Sequence, residues 1–204
     1  MTNLYPLLSV HTEKLCRYFL ISPRALEIQN VTPQDTKEYK VIPGSRFEGE
    51  YVVKTYHLVG TDICVHEIWT KDGKAHRDGQ PAAITRDADT GAIIYEHWKQ
   101  HGRPHREDGP AVIAYDPHTG VLTREVWFRQ GAFHRLDGPA TITRDPTTGV
   151  VVQEKWWRDG WQHRDDGPSA TFRDPVTGEV TDTEWNKMGR PIDAHRLIII
   201  EPSP

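Results

Sequence analysis

The sequence predicts an all-β protein: an elongated antiparallel sheet of stacked β-hairpin repeats with a 29-residue period and a small N-terminal cap. Three observations carry that reading. Sliding the chain against itself by 29 residues superposes Trp69, Trp98, Trp127, Trp156 and Trp185 without a gap, and with them Gly73, Gly102, Gly131, Gly160 and Gly189. His76, His105, His134 and His163 coincide as well, each followed by an arginine in an HR-x-DGP loop or, in the first unit, HRDGQP. The segments between these marks, such as ATITR (140–144) and VVVQEKWW (150–157), are rich in the β-branched and aromatic residues that suit a pleated, half-buried surface.

Each part of the chain can be justified in turn. Residues 1–50 do not follow the period and read as a cap over an exposed strand edge. Within them Thr12 is placed to cap a short helix, TEKLCRYFL, that ends before Pro23. The repeat array occupies 51–189. It opens with a worn half-unit from Tyr51, continues through four full units over roughly 67–182, and closes with a fifth that loses its His-Arg pair. In each full unit an Asp-x-x-Thr-Gly join, for example Asp145 to Gly149, supplies turn chemistry: a carboxylate that accepts from turn amides and a glycine that tolerates positive φ. A second Asp-Gly, Asp159-Gly160, marks the end of the tryptophan strand, and the HR-x-DGP loop returns the chain to the next hairpin. Pro168 falls at a strand start, where a missing amide is tolerated. About ten strands follow, with successive units ~10 Å apart at ~4.8 Å per strand. The tail, 190–204, holds an apolar run, Leu197 to Ile200, that reads as a last strand or a contact segment.

Composition narrows the function classes. Net charge is −4, with 25 basic and 29 acidic residues mixed along the chain, which disfavours a generic binder of phosphate backbones. Two cysteines, Cys16 and Cys64, are too few for a disulfide framework and point to a reducing compartment. The opening MTNLYPLLSVHTEKL lacks the pattern of a signal peptide, and no apolar run spans a bilayer, so the expectation is a cytoplasmic protein away from membranes.

The repeated histidines raise the question of chemistry. A metal needs ligands ~2 Å away, so histidines ~10 Å apart in neighbouring units cannot share one ion, and no metal site is expected. Every complete unit has the same His, Arg and Glu, and an active site rarely needs four copies. The expected role is structural, with imidazole and guanidinium tying the return loop to Glu67, Glu96, Glu125 and Glu154. The tryptophan series reads as a hydrophobic spine. Function is then sought where units differ. After the spine tryptophan stand Thr70, Lys99, Phe128, Trp157 and Asn186, and in the loops Trp161 replaces Lys74, Arg103 and Ala132. Phe128, Arg129, Phe133, Trp157, Arg158 and Trp161 therefore form the expected partner-binding patch, because aromatic and Arg side chains dominate binding hot spots. The alternative cover for these aromatics is the N-terminal segment or a second copy, a homodimer.

The W-x-x-x-G-x-x-H-R-x-DGPA unit resembles MORN-type hairpin repeats over about 51–189. It is most similar to the bacterial variety in antitoxins of the YwqK family and to HR-x-DGPA repeat proteins of phages and large DNA viruses. The aromatic strand and the Asp-Gly turn, Trp156 to Gly160, match in kind, whereas the HR-x-DGP loop departs from the common consensus. The resemblance implies a hairpin sheet without catalytic residues or cofactors, used for binding. The expected function is a non-catalytic module that masks or inhibits a partner protein, such as a toxin, a defence complex or an effector complex. The alternative is a single-stranded nucleic-acid or nucleotide binder in which exposed aromatics stack bases beside Arg129 and Arg158.

Overall fold

The computed structural model describes residues 36–41, 51–57 and 63–193. The expected helix at 12–20, most of the 1–50 cap and the run 197–200 lie outside the described residues. Everything described is strand, turn or loop, and the strands build an open antiparallel sheet of eleven strands in which sequence neighbours are spatial neighbours, with the two-residue strand Lys74–Ala75 paired to Cys64–Lys71 as a twelfth. Thr36–Val41, part of the expected cap, pairs along its whole length with Tyr51–His57 and so extends the sheet. Then come Cys64–Lys71, Ala83–Arg86, Ile93–His97, Val112–Tyr115, Leu122–Val126, Thr141–Arg144, Val151–Lys155, Ala170–Arg173 and Val180–Glu184. The all-β stack of hairpins read from the period is the observed architecture.

The Asp-x-x-Thr-Gly turns settle the hairpin register. Asp145 Oδ1 accepts from the amides of Thr147 at 2.9 Å and Thr148 at 2.8 Å, and the Gly149 amide returns to the Asp145 carbonyl at 3.0 Å. The ladder shifts by one at the turn: Thr143 faces Gln153, yet Arg144 faces Val151. The same bulge recurs in all four turns. Glycine is needed at the closing position, where φ is 74° at Gly149.

The second Asp-Gly does more than end a strand. At the spine tryptophan the ladder is interrupted, and the next residues form a short hairpin of their own. Phe128–Arg129 pairs with Ala132–Phe133 and Trp157–Arg158 with Trp161–Gln162. Both central turn residues have positive φ, 51° and 87° at Gln130 and Gly131, as a tight primed turn requires. Each turn glycine donates its amide to the preceding short hairpin: Gly131 to Pro104 at 2.8 Å, Gly160 to Phe133 at 2.9 Å. The short hairpins thus stack as a second column beside the long sheet. The core lies where the two meet, with Tyr95, Val112 and Val126 of the sheet packed against Phe128 and Phe133 of a short hairpin.

Candidate binding surface

The HR-x-DGP loop is built as a two-sided clamp. Arg106, Arg135 and Arg164 lie over Trp98, Trp127 and Trp156, 3.8–4.0 Å from the ring centres. On the other side of each guanidinium sits the loop glycine; a Cβ on Gly138 would stand 2.7 Å from Arg135 Cζ. The motif therefore needs Gly to let the cation approach, and Trp to receive it. In the first unit HRDGQP moves the glycine to Gly79, at φ 64°, where an added Cβ would meet nothing. Its Arg77 still covers Trp69 at 3.8 Å and also reaches Glu67 at 3.2 Å.

The histidines work between units. Nδ1 of His76, His105, His134 and His163 accepts the amide of the turn residue 25 positions later, from His101, Gln130, Asp159 and Met188, at 3.0–3.3 Å. With Nδ1 an acceptor, Nε2 carries the proton, and in the first and fourth units it donates to Asp78 at 3.0 Å and Asp165 at 3.2 Å. The expected tie of His and Arg to the glutamates is thus corrected: among the described residues only Arg77 in the first unit reaches its glutamate, and no histidine of the series does. Glu125 and Glu154 are held instead by Arg144 and Arg173 of the next strand, both at 2.6 Å. Trp69 and Trp98 donate their indole N–H to Glu67 and Glu96. The spine tryptophans, Trp185 included, are half-buried rather than sealed. Among the described residues no group of three or more His, Cys, Asp or Glu is placed to hold a metal.

The short hairpins decide the fate of the odd aromatics, because a hairpin has two faces. Phe128 is opposite Phe133 and Trp157 opposite Gln162, and these residues turn inward. Phe128 is 6% exposed and belongs to the core; its ring lies 4.5 Å from Phe133, which in turn stacks 5.0 Å from Trp157. These three aromatics join consecutive hairpins, so the expected patch is corrected: they are packing rather than surface. Arg129, Arg158 and Trp161 occupy the other face and point outward, Trp161 with 56% of its surface exposed. The Trp161 ring lies against the next turn, where a Cβ on Gly189 would stand 2.6 Å from it.

One surface residue escaped the sequence reading. Leu136, 72% exposed, stands where the other return loops carry Asp78, Glu107 and Asp165. The 29-residue alignment contains that signal, at the variable position of the HR-x-DGP loop. Leu136 and Arg135 line a shallow cleft together with Trp157, Arg158 and Asp165. Arg158 is braced there by Asp165 at 3.4 Å. The Trp157 indole nitrogen is buried and without a hydrogen-bond partner.

Comparison of the chain with protein-family models, with curated proteins and with solved structures found no match. The likeness to hairpin repeats therefore rests on the residues quoted above. No helix among the described residues is long and apolar enough to cross a membrane.

Proposed function

We propose that the protein is a non-catalytic scaffold of MORN-like hairpin units that binds and occludes a partner protein through the outward face of its third and fourth units. The observation that carries this reading is the contrast between repeated and singular residues. His, Arg, Gly and Trp of the units are engaged with one another, whereas Trp161 and Leu136 are large apolar side chains left in water at positions that other units fill with charge or alanine. Exposed Trp beside Arg is the composition of an interface hot spot. A toxin, a defence complex or an effector complex is the kind of partner such a mask would serve.

Capture from native cell extract tests the reading. The tagged full chain should retain one protein in stoichiometric amount, and the double substitution Trp161→Ala, Leu136→Ser should lose it while the melting temperature stays within a few degrees. Undiminished capture by the double variant would remove these two residues from the interface. A single-stranded nucleic-acid reading draws support from Arg129 and Arg158 beside Trp161. Against it stands the use of Phe128, Phe133 and Trp157 in packing, which leaves Trp161 as the one exposed ring of this patch where a stacking platform needs several.

A further inference from the structure

The outward face of the short-hairpin column has a charge unlike that of the rest of the chain. Cross-strand register places Lys71 opposite Lys74, Gln100 opposite Arg103, Arg129 opposite Ala132, Arg158 opposite Trp161 and Lys187 opposite Arg190. Directly opposed side chains share a face and like charges there destabilise the pair, so folding gives no reason for Lys71–Lys74 or Lys187–Arg190. These outward positions carry seven basic residues against Asp72 and Asp159 in the turns, in a chain whose 29 acidic residues outnumber its 25 basic ones. Some of the cations are occupied: Lys71 lies over the Tyr51 ring, and Arg158 and Lys187 approach Asp165 at 3.4 and 3.9 Å. Lys74, Arg103, Arg129 and Arg190 are exposed and make no ion pair among the described residues. Ala132 leaves a gap in the row between Arg103 and Trp161.

We propose that this strip is the docking site for an extended acidic segment of the partner protein, its acidic side chains meeting the row of cations and one apolar side chain entering the gap over Ala132 against Trp161. The proposal rests on the protein-binding reading and specifies the partner's chemistry. Geometry sets the pattern of the segment. Successive hairpins stand ~10 Å apart and an extended chain advances ~3.3 Å per residue, so an acidic residue about every third position matches the cations step for step. A segment of about 12 residues spans the five hairpins. Rows of complementary charge also steer encounter, so the contact should form fast and weaken with salt.

The test is fluorescence anisotropy on the full chain with three labelled probes. One is a 12-residue peptide with Glu at every third position and a single Leu, the second is the same peptide with Lys for Glu, and the third is a 20-nucleotide oligothymidine. The acidic peptide should bind and the lysine peptide should not. Arg103→Glu with Arg129→Glu should raise Kd about tenfold or more, Trp161→Ala should raise it severalfold, and both variants should keep the wild-type melting temperature. Acidic-peptide binding that is absent, or equal in the charge-reversed variant, overturns the proposal; so does tighter binding of the oligonucleotide. Partner capture from extract that persists in the charge-reversed variant would sink the strip while leaving the protein-binding reading intact. Acidic-peptide binding without any captured protein would do the converse.

Discussion

His97 is the residue whose chemistry is least at ease in this fold. It sits in the sheet between Ala83 and Val112, 2% exposed, with both ring nitrogens buried and unpartnered. Burial, aided by the nearby Lys99 charge, pushes its pKa down to about 3. Because the folded value lies below the unfolded value of about 6.5, the unfolded chain binds the extra proton between those limits. Stability should thus be highest above pH 6.5 and fall as pH drops toward 3. His97→Val, matching Val126 in the same place of the third unit, should raise stability by roughly 1–3 kcal/mol and flatten this slope, read as urea midpoints at pH 4.5 and 7. His66, which burial holds at about 4, will keep part of the slope. The spaced histidines behave differently. His105→Ala removes the acceptor of the Gln130 amide and should cost roughly 1–2 kcal/mol in chemical denaturation, without the loss of binding expected for Trp161→Ala.

At the scale of the element, the return loop stands or falls on one glycine per unit. Gly138→Ala would drive a methyl group into the Arg135 guanidinium and lift it from Trp127. The expected loss is about 1–3 kcal/mol, with a change in tryptophan fluorescence as the ring is uncovered. Gly131→Ala acts by another route, since φ of 87° strains any side chain; about 1–2 kcal/mol is expected. In the Asp-x-x-Thr-Gly turns, amide and hydroxyl donors from Thr148 and Thr177 hold Asp145 and Asp174 below the usual carboxylate range. That contribution is present above about pH 4 and fades as the carboxylates protonate. The alternating pattern and the turn chemistry were readable because both are local. The short hairpin was not, because two-residue strands carry no period and the sequence lists their residues as a loop.

Across the described residues, strand pairing runs only within a unit or between successive units, so stability should propagate along the stack as in other repeat arrays. The stack is graded. Ala83, His97, Val112 and Val126 form a buried row across one sheet face, but the row reaches Lys155 and ends at Glu184, in a strand exposed at all five residues. Hydrogen exchange should therefore run faster at Val180–Glu184 than at Val112–Tyr115, a difference mass spectrometry of pepsin fragments can read. Comparable protection in both strands would count against a graded stack.

The sequence by itself determined the period, the all-β character and the places where the chain turns, because a hairpin is specified by neighbours within a few residues. It also separated what recurs from what is singular, which singled out Phe128, Arg129, Phe133, Trp157, Arg158 and Trp161. Which way each singular side chain faces was decided only in three dimensions. Adjacent residues on a strand point to opposite sides, so Phe128 and Trp157 went into the packing while Arg129 and Arg158 beside them went to water. The row of cations, spread over five units in the chain, became one strip only when the short hairpins stacked.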